Sequence, residues 1–254
     1  MTMAQAPTSP PKPASPTDRL ARLRAELSAE TSRAVAVMPL GHPVIDAHLP
    51  SGGLSLGPPH EIVPAEPIDA IAALAFALAL CARRLAEAQG EAMIASSGHP
   101  LPYGHGLASL GLNPGRLLLL EAGGDGEVFR ALEAALHANC LSALIGLVGE
   151  GMPLKAGRRL QLAAETGEPP LLLVLRQAGP GLPNGAATRW RVAAAPAGSD
   201  RFGGLHAPRW RVRLERCRNG RGGSWLVEWD SAANRLHLPE RLADDAAAAG
   251  RARP

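Results

Sequence analysis

The sequence predicts an α/β fold: a mostly parallel sheet with helices on both faces, extended at the C-terminal end by an antiparallel hairpin. Three observations carry that expectation. Five short apolar runs alternate with segments of helical spacing between residues 60 and 175, the pattern of strands buried on both faces and joined by crossover helices. Two R-W-R-V runs, Arg189–Val192 and Arg209–Val212, instead alternate basic and apolar residues, the period of a strand with one covered face. Arg218-Asn219-Gly220-Arg221 then supplies an Asn-Gly turn before the alternating Trp225, Val227 and Trp229, which closes a hairpin.

Taken in order, residues 1–17 form a flexible tail, because prolines at 7, 10, 11, 13 and 16 forbid a helix. Residues 18–35 hold an N-terminal helix that Thr17 or Asp18 caps and that runs through Glu30, with Leu20, Leu23 and Leu27 on one side. The main domain spans 36–240, and residues 241–254 form a second flexible tail. Gly and Pro punctuate Gly41–Gly57. His60–Val63 is the first strand, and Asp69 caps a helix whose apolar positions are Ile71, Leu74, Ala75, Leu78, Ala82 and Leu85. Ala70–Ala82 is apolar nearly all round, which predicts burial on most sides, and Gly90 ends the helix. Ala92–Ala95 is the second strand, followed by a helix near Gly106–Leu110. Leu117–Glu121 is the third strand, and Glu127–Ala138 is a helix with Val128, Leu132, Ala135 and Leu136 as its buried stripe. Ala143–Val148, a helix over Lys155–Thr166, and Leu171–Leu175 complete the parallel series. In the hairpin region, 186–230, alternation puts Trp210, Val212 and Leu214 on one face and Arg209, Arg211 and Arg213 on the other.

Composition excludes several classes. With 254 residues and 46% apolar content the chain can bury a sizeable core. Cys81, Cys140 and Cys217 form no C-x-x-C pair and are odd in number, so a reducing cytoplasm is expected, with Cys81 and Cys140 as small buried hydrophobes. The longest apolar run, Ala70–Ala82, has 13 residues, where a membrane span needs about 20; no membrane association is expected. His99 and His105 lack a third ligand, so no metal is expected. Ser96-Ser97 has no G-x-S-x-G context, which argues against a hydrolase, and Gly123–Gly126 reads as a turn.

In an α/β sheet of this kind ligands bind at the carboxyl ends of the strands. The loop after the first strand is where a nucleotide-binding protein holds phosphate, with glycines for a tight cradle, a lysine for the phosphates and a hydroxyl for magnesium. Here it reads Pro64-Ala65-Glu66-Pro67-Ile68-Asp69-Ala70-Ile71, with no glycine, lysine, serine or threonine. Its prolines remove backbone donors, and Glu66 and Asp69 would repel a triphosphate.

Met38–Asp46, Gly52–Gly57 and Glu61-Ile62, followed by Met93-Ile94, Leu110-Gly111-Leu112, Leu117–Leu119, Asp125-Gly126-Glu127, Leu144–Val148 and Leu171–Gln177, resemble in register the core of the RecA recombinase family over about residues 36–193. The resemblance implies a RecA-like sheet and, residue by residue, a degenerate site. Ala70 stands for the phosphate-binding lysine, Ile71 for the magnesium-binding hydroxyl and Ser97 for the water-activating glutamate. Val148 stands for the magnesium aspartate, with Glu150 two residues late; Gln177 alone fits a nucleotide-sensing position. Gly149–Lys155 and Ala178–Ala187 are short where RecA carries its DNA-binding loops. Within that superfamily the chain most resembles the ImuA family, through G-H-P-x-I-D at Gly41–Asp46 and A-A-T-R-W-R-V at Ala186–Val192. Pro208–Arg218 and Ser224–Asp230 add P-R-W-R-V-x-L-x-R-C-R and S-W-L-V-E-W-D. That resemblance implies a non-catalytic, cofactor-free accessory of damage-induced translesion synthesis, working with an ImuB-like polymerase-family protein and an error-prone polymerase, with RecA and DNA as further candidate partners. The alternatives are a nucleotide-dependent recombinase-like ATPase with an unorthodox site, or a cell-division inhibitor of the SulA type.

Charge points to the binding segment. From Arg176 to Arg221 the chain has ten arginines against Asp200 and Glu215, a local net of +8; the total of +3 leaves the remainder at −5. Such asymmetry implies a polyanionic or acidic partner. Arg189, Arg191, Arg209, Arg211, Arg213, Arg216, Arg218 and Arg221 are the candidate nucleic-acid or partner contacts.

Overall fold

The computed structural model describes residues 36–88, 90–99, 102–176, 184–197 and 207–239. The expected N-terminal tail and helix, the C-terminal tail and Gln177 lie outside the described residues. A small ladder of β1 (Val37–Met38) and β2 (Leu54–Ser55) leads into the main sheet. That sheet has nine strands: β3 (Pro59–Pro64), β4 (Glu91–Ser97), β5 (Leu117–Ala122), β6 (Leu141–Val148), β7 (Leu171–Arg176), β8 (Thr188–Ala195), β9 (Arg209–Cys217), β10 (Gly223–Asp230) and β11 (Arg235–His237). Their order is β11-β10-β9-β8-β3-β7-β6-β4-β5. From β8 to β5 neighbouring strands run parallel; from β8 to β11 they run antiparallel.

The expected mostly parallel sheet with a C-terminal hairpin is therefore what the chain forms, and its junction is β8. The first R-W-R-V run pairs parallel with β3, from His60 opposite Thr188 to Pro64 opposite Val192, while its other edge starts the antiparallel block. Asn219 takes the left-handed conformation at the hairpin turn (φ 60°), as the Asn-Gly signal requires. A Cβ on Gly220 would lie 2.5 Å from the carbonyl oxygen of His48; that absence of side chain lets the hairpin tip dock, with the Arg221 N–H donating to His48 O at 2.9 Å.

The helices are α1 (Pro43–Asp46), α2 (Ala70–Glu87), α3 (Gly104–Ser109), α4 (Asp125–Ala138) and α5 (Leu154–Ala163). Phe76 and Leu80 of α2 and Leu107 of α3 cover one face, against Ile62, Ile145, Trp190, Trp210 and Trp229. Val128 and Leu132 of α4 and Leu160 of α5 cover the other, against Leu144, Leu172 and Val174. Because strand side chains alternate between faces, β6 and β7 must be apolar at every position that two helix layers cover, and all six residues of β7 are buried. The C-terminal carbonyls of α2, which have no partners within the helix, are gripped by Arg116: its guanidinium donates to Leu85 O at 3.1 Å and Ala88 O at 2.9 Å, and its Nε to Gly90 O at 2.8 Å.

The G-H-P-x-I-D motif is a folded clasp. Asp46 accepts the N–H groups of Leu40 (2.7 Å) and Gly41 (3.2 Å), and the His42 ring accepts the Val44 N–H at the start of α1. Arg83 of α2 holds the same segment through Pro39 O and reaches the turn after β10 through Asn234 O.

Two expectations need correction. Cys81 is buried, and burial pushes its thiol up to about 12, but Cys140 is exposed. It sits in the tight connection between the left-handed Asn139 that caps α4 and the first residue of β6, outside either helix layer. The leucines of β5 differ likewise: Leu118, Leu119 and Leu120 are exposed, because β5 is the sheet's edge and the helices centre on the strands inside it.

His60 is fully buried, its Nδ1 2.7 Å from Thr188 Oγ1 and its Nε2 2.7 Å from Ser55 O. Burial holds its imidazole down at about 4, below the usual 6.5. The unfolded chain therefore takes up a proton near pH 6.5 that the folded chain refuses until about 4. The stability His60 confers is complete above 6.5 and is lost as pH falls toward 4, on the order of 3 kcal/mol in all. Urea titrations at pH 7.5 and 5 should show this loss, and His60→Gln should shrink it.

Candidate functional site

The loop between β3 and α2 has a closed geometry. Pro64 and Pro67 carry no N–H. The Ala65 N–H donates to Val192 O at 2.7 Å, the Glu66 N–H to Asp69 Oδ2 at 3.2 Å, and the Asp69 N–H to Glu66 O at 2.9 Å. The Ala70 N–H donates to Pro67 O, completing a single 3-10 turn over Pro67–Asp69. Asp69 occupies the position before α2 as expected, but its side chain does not bond the helix's own amides. Its second oxygen reaches β8 and accepts the Ala194 N–H at 2.9 Å. The carboxylate is buried and pins the loop to the sheet. Ala70 is half-buried, Glu66 is exposed, and Ile68 and Ile71 are exposed. Asp69→Ala removes an acceptor shared by two backbone donors, and a loss of about 1–3 kcal/mol is expected in urea unfolding.

Ser97 and Val148 end β4 and β6. Beside them, Asp125 at the start of α4 accepts the N–H groups of Gly149 and Glu150, each at 3.0 Å. The loop after β6 is thus tied to a helix terminus. Among the described residues no group of three or more His, Cys, Asp or Glu side chains is placed to hold a metal ion, and no helix is long and apolar enough to cross a membrane.

The eight candidate arginines separate into three kinds. Arg189, Arg191 and Arg209 lie on the sheet face opposite α2, each against a glutamate: Glu61, Glu215 and Glu228 respectively. Arg216, Arg218 and Arg221, at and beyond the end of β9, donate to the backbone carbonyls of Asn184 (3.0 Å), Gly185 (3.2 Å) and Ala47 (3.4 Å). Arg211 and Arg213 point outward from β9, exposed and without an ion pair or hydrogen bond among the described residues. A bulge at Glu215, where Trp190 pairs with Leu214 but Arg189 with Arg216, brings that carboxylate to Arg191. The hydrogen bond that Arg191 donates to Glu215 raises the Arg191 pKa further, and the charges of Glu66 and Glu61 add to it.

The tryptophans take the other face, as alternation predicts. Trp190, Trp210 and Trp229 are buried; Phe76 meets Trp210 edge-on at 5.7 Å between ring centres, and Trp229 Nε1 donates to Leu110 O at 3.0 Å. Trp225 is half-buried, edge-to-face with His48 at 5.0 Å. On this same face an apolar groove of about 700 Å³ is lined by Ile71, Leu74, Leu78, Tyr103, Leu107 and Trp229.

Sequence reasoning missed the acids. Glu61 is buried between Arg176 (Oε1 to Nε, 3.2 Å) and Arg189; Glu228 is buried between Arg209 and His237 (3.1 Å). The available signal was a lone carboxylate inside each apolar strand, which a buried position tolerates only with a cation beside it.

No protein-family model matches the chain. It is 37% identical over 241 residues to Protein ImuA of Caulobacter vibrioides strain NA1000 / CB15N, an alignment covering 89% of this chain and 98% of that protein. Protein ImuA of Caulobacter vibrioides strain ATCC 19089 gives the same identity and coverage.

Proposed function

The chain belongs to the ImuA family, and from that membership we propose that it is a non-catalytic, RecA-like accessory of SOS-induced translesion DNA synthesis and mutagenesis in the cytoplasm. It binds an ImuB-like polymerase-family protein through its basic C-terminal strands and so bridges that protein to an error-prone polymerase, with RecA and DNA as further candidate partners. The observation that carries the non-catalytic half is the closed loop at Pro64–Ala70. A phosphate cradle works by aiming free amides and a cation at the anion. Here Ala65, Glu66, Asp69 and Ala70 direct their amides into the loop or at β8, and the side chains at the mouth are Glu66, Ile68 and Ile71. The partner half is supported by the concentration of arginine on β8 and β9, where the sheet passes from its parallel to its antiparallel block.

Calorimetric titration of the full chain with ATP and magnesium tests the reading, together with co-purification of ImuB. The expected result is no micromolar binding, no phosphate release, and capture of ImuB without nucleotide. Micromolar ATP binding with turnover would establish the recombinase-like ATPase instead, and capture of the tubulin-like division protein in place of ImuB would establish the division inhibitor.

A further inference from the structure

The basic face is far narrower than the sequence suggests. Resting on the partner-binding reading above, we propose that Arg211, Arg213 and Leu226 form a docking face for an acidic, apolar polypeptide helix, one that carries two carboxylates about a turn apart beside an aliphatic residue.

Strand pairing builds the face in rows. Arg191, Arg213 and Ser224 lie side by side across β8, β9 and β10, and Ala193, Arg211 and Leu226 form the next row. Arg191 and Arg209 are paired with Glu215 and Glu228, and Arg189 shares Glu61 with Arg176. The free positive charge among the described residues of these rows is therefore that of Arg211 and Arg213, set beside Ala193 and an exposed leucine, Leu226 at 42%.

Nucleic acid is a poor match for that pattern. Its affinity grows with the number of phosphates neutralised, and these rows offer two unpaired cations with glutamates nearby; Arg216, Arg218 and Arg221 lie outside the rows, their guanidiniums held to backbone carbonyls. Binding of single strands also relies on aromatic side chains as stacking platforms. Trp190, Trp210 and Trp229 are buried under α2 on the opposite face, and Trp225 is half-buried against His48. A helix is a good match. Residues two apart on a strand are separated by about 7 Å, and carboxylates at i and i+4 of a helix by about 6 Å along its axis. Two such carboxylates reach Arg211 and Arg213 together, and an aliphatic residue on the same helix face rests on Ala193 and Leu226. Exposed ion pairs alone add little; the apolar contact beside them excludes water and gives the pairing its strength.

The test measures the affinity of the full chain for ImuB, comparing the wild type with Arg211→Glu/Arg213→Glu and with Leu226→Ser. Binding at least tenfold weaker in the double variant, and weaker in Leu226→Ser, is expected, with Arg130→Gln on α4 unchanged. ImuB binding that the double variant leaves intact would overturn the docking face while the accessory role stands. If the wild type does not bind ImuB, the accessory reading fails, and a second titration decides the face. A synthetic helix of about 20 residues, with Glu at i and i+4 flanking Leu, is followed by backbone amide shifts. Shifts centred on residues 211, 213 and 226 that vanish in the double variant sustain the docking face; their absence sinks it. Micromolar binding of a single-stranded oligonucleotide, abolished by Arg211→Glu/Arg213→Glu with ImuB binding unaffected, would replace the helix with nucleic acid.

Discussion

Glu61→Gln is expected to destabilise the fold by about 3–5 kcal/mol, the usual cost of removing one partner from a buried ion pair. Glu61 sits on β3, the strand flanked by β7 and β8, and its two oxygens meet Arg176 from one neighbour and Arg189 from the other. The side chains of Glu61 and Arg176 are almost fully shielded from water. Glutamine keeps the shape and one acceptor, so the loss measures charge and not volume. It leaves two guanidiniums facing a neutral amide in a region of weak screening. The urea midpoint should drop with little change in the slope of the transition. A change under about 1 kcal/mol would mean that the arginines find compensation elsewhere, and that this carboxylate is incidental to the joint between β7, β3 and β8.

Trp190→Ala is expected to be comparably damaging, about 3–5 kcal/mol, as for other large-to-small changes in a core. The indole lies between Phe76 of α2 (6.0 Å between ring centres) and Trp225 of β10 (6.3 Å). It also donates through Nε1 to Thr188 Oγ1 at 2.9 Å, the hydroxyl that His60 contacts from the other side. Truncation opens a cavity under α2 and removes one partner from a buried polar chain. A thermal melt should shift down by roughly 10 °C for a chain of this size. Trp225→Ala, at a half-buried site, should shift it less. Because β8 also carries Arg189 and Arg191 on its far side, partner binding should weaken with Trp190→Ala, which Arg211→Glu/Arg213→Glu should achieve without any loss of stability.

The parallel block was readable because its strands are apolar without alternation, and β7, as Leu171–Arg176, shows this most plainly. The division of β9 into a tryptophan side and an arginine side was readable from period alone. What the arginines do there was not. Arg189 and Glu61 are 128 residues apart in sequence, and only the order β7-β3-β8 brings them together; no local pattern encodes that adjacency. The count of ten arginines therefore overstated the available charge, since Arg176, Arg189, Arg191 and Arg209 lie against the carboxylates of Glu61, Glu215 and Glu228. Asp69 shows the same limit at short range: its position before α2 was legible, but its bond to Ala194 depends on a strand more than a hundred residues later. Cys140 and the leucines of β5 were misjudged because apolar character predicts burial only where another layer exists to cover it.

The strict segregation on β9 of Trp210, Val212 and Leu214 from Arg209, Arg211 and Arg213 also makes this end of the sheet intolerant of misthreading. Sliding β9 by a single residue against β8 would carry Arg211 and Arg213 beneath α2 and turn Trp210 and Val212 out to water. Desolvating a lone guanidinium costs several kcal/mol, so a mis-zipped hairpin comes apart and tries again instead of persisting as a trap. The residues proposed to meet a partner on one side thus proofread the assembly of the other.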